Sequence, residues 1–81
     1  MLIKDKVIEL VLENLEVDSA AVVPEAKFID DLGVSSMDLW ELVLVMEDVF
    51  NIEVPDEDLA KIVTIQNAID FIENRLGRKE V

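Results

Sequence analysis

Phe28-Ile29-Asp30-Asp31-Leu32-Gly33-Val34-Ser35-Ser36-Met37-Asp38-Leu39-Trp40-Glu41-Leu42-Val43 begins in turn chemistry and ends in helical periodicity. From Ser36 to Phe50 there is no Gly or Pro, and Leu39, Leu42, Val43, Met46, Val49 and Phe50 fall on one stripe at three- and four-residue spacing. That spacing predicts a helix over 36–50 with its stripe on a core. A second apolar row, Met37, Trp40 and Leu44, lies on the same helix between Glu41, Glu47 and Asp48. One stripe can face the core, and the other is left to solvent or to a partner.

Upstream of this stretch, Ile3, Val7, Leu10, Val11 and Leu15 recur with helical spacing opposite Lys6, Glu9, Glu13 and Glu16, which predicts an amphipathic first helix. From Glu16 to Ser35 periodicity gives way to turn residues, with Asp18-Ser19, Pro24 and Gly33 punctuating the apolar Val22, Val23, Phe28, Ile29 and Leu32. A connection of that length must pack on the core or serve function. Downstream, the segment from Asp56 to Ile62 reads as a short helix with acids in its first turn. Thr64 then caps a last helix whose buried face is Ile65, Ala68, Ile69, Ile72 and Leu76, ended by Gly77. No run has a strand period, so the expectation is an all-α fold, a small four-helix bundle of three longer helices and one short. Residues 1–76 are expected to form the domain and 77–81 a charged C-terminal tail. The expected core is Val7, Val11, Phe28, Leu42, Val43, Met46, Leu59, Ile62, Ala68, Ile69 and Ile72.

Composition narrows function. Among 81 residues, 52% are hydrophobic, yet 19 Asp plus Glu stand against 7 Lys plus Arg, a net charge of −12. Apolar content this high argues against disorder. The charge repels phosphate backbones and anionic lipid, and attracts proteins with Arg and Lys patches. There is no Cys, His or Tyr. Disulfides, thiolate nucleophiles, zinc-thiolate sites and Ser/His/Asp triads are thereby excluded. No acids show EF-hand spacing, so no metal site is expected, and no acid pair comes with other polar catalytic groups, which disfavours a carboxylate hydrolase. The longest apolar run, Leu42 to Met46, is five residues, so no membrane insertion is expected. The reading is a cytoplasmic, monomeric protein that is not an enzyme.

Only Ser19, Ser35, Ser36 and Thr64 carry hydroxyls, and two of them are adjacent where the loop becomes the second helix. Ser35 is placed as an N-cap accepting from the Asp38 amide, with Asp38 reaching back in a variant of the capping box. Ser36 is placed as a modification site, because the free amides and positive end of a helix suit an attached phosphodiester. With no His in the chain, another enzyme must activate that hydroxyl.

The quoted stretch resembles the signature of acyl carrier proteins: Asp-Leu-Gly, a variable residue, Asp-Ser-Leu, then a helix with Glu-Leu. Phe50-Asn51-Ile52-Glu53-Val54-Pro55-Asp56-Glu57 is similar to that family's exit from the helix, and Ile62 to Ile72 is similar to its last helix. The resemblance spans roughly residues 3 to 76. It implies that Ser36 carries 4'-phosphopantetheine, installed from coenzyme A by a magnesium-dependent phosphopantetheinyl transferase. The arm's thiol would supply the sulfur this chain lacks and hold acyl groups as thioesters. The core residues named above would then also shelter the acyl chain. Position relative to Gly33 and Met37 favours Ser36 over Ser35.

Two departures stand out. The family has Asp where this chain has Ser35, and a smaller aliphatic where it has Trp40. Met37, Asp38, Trp40, Glu41, Leu44, Glu47 and Asp48 are assigned to partner binding, an apolar strip rimmed by acids that fits enzymes with basic docking patches. The pathway expected is fatty acid synthesis. The alternatives are a specialised carrier for polyketide, peptide, lipid A or aminoacyl chemistry, or an unmodified acidic interaction module in which Ser36 is only part of a cap.

Overall fold

The computed structural model describes residues 1–81. Helix α1, Ile3–Asn14, buries Ile3, Val7, Leu10 and Val11 along one stripe and packs against both other long helices. No side chain caps it at Leu2. Instead the Ile3 amide donates to the Lys79 carbonyl at 2.8 Å, and the Val81 amide donates to Met1 at 3.0 Å. Residues 79–81 of the charged tail are thus tied to the start of the chain.

The connection from residue 15 to 35 is ordered by its own polar groups. Asp18 accepts from the Ala20 amide at 3.0 Å and starts a single 3₁₀ turn, Ser19–Ala21. Farther on, the backbone docks on the segment that leads into the last helix. Phe28 donates to Val63 at 3.0 Å, Ile65 to Ala26 at 3.1 Å and Gln66 to Pro24 at 2.9 Å. Phe28 and Val22 are buried by this docking and Leu32 partly so, whereas Val23 and Ile29 remain exposed. The long connection is therefore part of the core, as an intrinsically costly loop of this length requires.

Helix α2, Ser36–Phe50, has the bounds predicted for it, and Asn51 ends it in the left-handed region at φ 54°. Leu39, Leu42, Val43, Met46 and Phe50 are buried. Val49, expected on the same stripe, is exposed. It lies three residues from Met46 but adjacent to Asp48, on the side of the helix that turns out of the core. Helix α3, Asp56–Leu59, is one turn and stops three residues short of the expected Ile62. Leu59, expected within the core, is half-buried and packs against the core from its edge. Ile62, beyond it, is buried.

Helix α4, Ile65–Leu76, buries Ile65, Ala68, Ile69 and Ile72. Thr64 Oγ1 accepts from the Asn67 amide at 3.0 Å and Asn67 Oδ1 accepts from the Thr64 amide at 2.9 Å, a closed capping box. Gly77 ends the helix at φ 68°, a conformation glycine adopts without Cβ strain. The result is an all-α bundle with an 18-residue apolar core and no buried polar residue. Its radius of gyration, 11.4 Å, is close to the value of about 12 Å for a packed chain of this length.

Candidate functional site

The loop 27–34 is folded so that it delivers the two serines at the mouth of α2. Asp31 accepts from the Lys27 amide at 2.8 Å, the Asp31 and Leu32 amides return to the Lys27 carbonyl at 3.0 Å, and Val34 donates to Phe28 at 2.9 Å. Gly33 allows the reversal with φ 68°, in the region a side chain would strain. Phe28 and Val34 anchor this knot in the core, which leaves Asp30, Asp31, Ser35 and Ser36 exposed.

The serines have different work. Ser35 is the N-cap, and its Oγ accepts from the Asp38 amide at 3.1 Å. The reciprocal half of the box is absent: the Asp38 carboxylate makes no bond back to Ser35, although Asn67, a side chain of the same length, closes the box at Thr64. Ser36 is the first residue of the helix, exposed, with a hydroxyl that makes no hydrogen bond within the chain. The Ser36 and Met37 amides also lack acceptors in the chain. An anion joined to Ser36 would meet those N–H groups and the positive end of a fifteen-residue helix.

Ser36 opens onto an apolar cleft of about 350 Å³ between the 27–30 loop, α2 and the α3 to Val63 segment. Ile29, Leu39, Trp40, Leu59, Ile62 and Val63 provide its apolar walls, and Lys27 and Asp30 its charged groups. Of the core residues expected to shelter an acyl chain, only Leu59 and Ile62 line this cleft. Val7, Val11, Phe28, Leu42, Val43, Met46, Ala68, Ile69 and Ile72 are packed in the closed core. Ile29, Leu39 and Val63 were missed as wall residues. Ile29 and Val63 each follow a buried residue and break the helical pattern, and the backbone pairing that joins their segments spans more than thirty residues of sequence.

The second apolar row faces outward. Met37 is 63%, Trp40 47% and Leu44 42% exposed, and Asp38, Glu41 and Asp48 flank them on the same helix. Glu47 differs. It is half-buried, and its Oε2 accepts from the Val54 amide at 2.8 Å, pinning the chain that leaves α2. No three carboxylates converge as a metal site, and no helix is long and apolar enough to cross a membrane.

A helical bundle that offers a free serine hydroxyl at a helix start, beside an apolar cleft, is built to present a group attached to that oxygen. Residues 5–72 match the family model described as the phosphopantetheine attachment site. The chain is 48% identical over 77 residues to an acyl carrier protein of Solidesulfovibrio magneticus, covering 95% of this chain and 99% of that one. It is 49% identical over 75 residues to an acyl carrier protein of Syntrophus aciditrophicus, covering 93% and 94%. The chain belongs to the acyl carrier protein family. Its prosthetic group is phosphopantetheine, and its role is that of a carrier rather than a catalyst. Membership entails work with a phosphopantetheinyl transferase and with enzymes that make or transfer acyl groups.

Proposed function

We propose that Ser36 bears the 4'-phosphopantetheine and that the chain carries growing acyl groups for fatty acid synthesis in the cytoplasm, as a monomer. The observation that carries the attachment is the division between the serines: the Ser35 hydroxyl is engaged by the Asp38 amide, and that of Ser36 is exposed and unbonded. In the attachment reaction Ser36 Oγ would form a bond to the pantetheine-side phosphorus of coenzyme A as the diphosphate link breaks, adenosine 3',5'-bisphosphate leaves, and a base on the transferase takes the proton. The chain contributes the presentation of that oxygen and the two free amides that face the new phosphodiester. When bound, the group supplies the thiol on which acyl chains ride.

Partner enzymes would dock on Met37, Trp40 and Leu44, steered by Asp38, Glu41 and Asp48, with the acyl chain resting in the cleft beside Ser36. Trp40 and Ser35 supply the reason to keep a second reading, a carrier for a specialised acyl pathway. The two separate by which elongating and loading enzymes accept the loaded chain.

The test of attachment is intact mass after incubation with coenzyme A, magnesium and a broad-specificity transferase. Wild type and Ser35→Ala should each gain one phosphopantetheine increment, and Ser36→Ala none. An increment on Ser36→Ala that is lost in Ser35→Ala would move the site to Ser35. No increment on wild type, beside a control carrier that is modified, would remove the attachment reading.

A further inference from the structure

We infer that Lys27 is a positioning residue for the prosthetic arm: its ammonium pairs with the phosphodiester at Ser36 and draws the root of the arm toward the 27–30 loop. The inference rests on Ser36 bearing the arm.

Cations are scarce around this helix start. Between Lys6 and Lys61 the chain holds one, Lys27, against the acids Asp30, Asp31 and Asp38 that stand exposed near Ser36. A phosphodiester adds a further negative charge there, and the two free amides of the helix start offset only part of it. Lys27 is placed to meet the rest. Ala26 and Phe28 are buried on either side of it, so the alternation of this bridge-paired segment turns Lys27 out of the core. Its backbone is held: the amide donates to Asp31 Oδ2 at 2.8 Å, the carbonyl accepts from the Asp31 and Leu32 amides, and the residue pairs with Thr64 across a β-bridge. Its side chain is free. The Nζ makes no ion pair within the chain, not even with Asp30, and it lines the same cleft as Ser36. Lys61, between the cleft residues Ala60 and Ile62, is already paired with Asp58 at 3.8 Å. Ser36 also borders a shallow outer shelf with Met37 and Trp40, and that shelf holds no cation. Charge therefore distinguishes the two sides on which an arm rooted at Ser36 can start. An ammonium and a phosphate oxygen form a charge-assisted hydrogen bond. On an exposed surface it biases the arm a few-fold, weakly enough for the basic patch of a partner to displace Lys27.

The test uses the full chain without the arm and with it, the arm's thiol blocked by iodoacetamide, and needs no partner enzyme. Acetylation by N-succinimidyl acetate is scored lysine by lysine from peptide masses. At low salt, loading should slow acetylation of Lys27 by roughly two- to fivefold, the range an exposed ion pair supports. Lys4 and Lys61 should react at the same rate in both forms, which separates pairing from a general rise in negative charge. The second readout is the phosphorus-31 resonance of the loaded chain as wild type, Lys27→Gln and Lys27→Arg, each with its helical circular dichroism retained. Wild type and Lys27→Arg should share a position displaced from that of Lys27→Gln. Raising NaCl from about 0.02 M to about 0.5 M should move both onto the Lys27→Gln position, because screening then acts within the length of the pair. A Lys27 that acetylates equally fast with and without the arm, a common resonance for all three chains, or a Lys27→Arg that follows Lys27→Gln would each overturn the pairing. A wild type that gains no phosphopantetheine mass removes the reading of Ser36 and this inference with it, whereas a loaded wild type indifferent to Lys27 removes the inference alone.

Discussion

Ser35 Oγ takes the Asp38 amide at 3.1 Å, so its replacement by Ala leaves a helix-start donor without its partner. Loss of such a cap costs about 1 kcal/mol. Ser35→Ala should lower the stability read from urea unfolding by that amount without a change in slope, and still accept phosphopantetheine at Ser36. Ser35→Asp asks a different question. Asp caps as well as Ser and adds a negative charge at the helix start, so stability should stay within a few tenths of a kcal/mol, about the difference among good caps. The transferase reaction should then become faster at low salt, and the gain should shrink as salt rises, because a single exposed charge acts through steering. Equal rates for wild type and Ser35→Asp at every salt would mean that Asp30, Asp31 and Asp38 already saturate the field at this helix start. What the residues alone told was unequal. The cap and the free serine were legible, since Ser before an apolar-periodic run is local information. The failure of Asp38 to close the box was not, since Asn67, a side chain of the same length, closes the box at Thr64.

Helix α2 was readable to the residue because its signal is dense: no breaker from 36 to 50 and an apolar stripe that recurs along its whole length. The short α3 and the cleft were not, since they arise where Ala26, Phe28, Val63 and Ile65 pair across long separation, and no local period announces that. Glu47 shows the same limit. Its place among the acids beside Met37, Trp40 and Leu44 marks it for partners, yet its carboxylate holds the Val54 amide at 2.8 Å. Charge and hydrogen bond can be separated by substitution. Glu47→Ala should cost on the order of 1 kcal/mol of stability, because the bond is charge-assisted and half-shielded. Glu47→Gln keeps an acceptor oxygen and should recover most of it. Glu41→Ala, on the exposed face, should leave stability within about 0.5 kcal/mol and slow only reactions with partner enzymes. If Glu41→Ala and Glu47→Ala destabilise alike in urea titration, the Val54 bond contributes nothing of its own. Exposure of the Trp40 ring on this helix is checked by the neutral quencher acrylamide, which should quench it efficiently in the free chain.

At the scale of the molecule, a charge of −12 is carried within a radius of gyration of 11.4 Å. Two ion pairs relieve it, Lys6–Glu9 and Lys61–Asp58, both between neighbours three residues apart on the surface. Such pairs contribute a few tenths of a kcal/mol each at most. The other five cations of the seven, Lys4, Lys27, Arg75, Arg78 and Lys79, make no ion pair with a carboxylate. Arg75 instead donates to the Glu53 carbonyl at 3.1 Å and lies over the Phe71 ring. Folding therefore gathers carboxylates that the unfolded chain keeps apart, and the native state carries a self-repulsion that its thin core must outweigh. Dissolved salt shortens the screening length from about 20 Å near 0.02 M to below about 5 Å near 0.5 M, across the dimensions of this bundle. Stability should rise over that range by about 1 kcal/mol, read as an increase in Tm of roughly 4–8 °C for a domain of this size. Docking should respond with the opposite sign if, as proposed, the acids that repel one another in the free chain steer partner enzymes through basic patches. The KM for a partner should accordingly climb through the salt range in which Tm climbs. A Tm that stays flat while KM rises would show that the acids are spaced widely enough to be harmless in the fold and are concentrated only where α2 meets its partners.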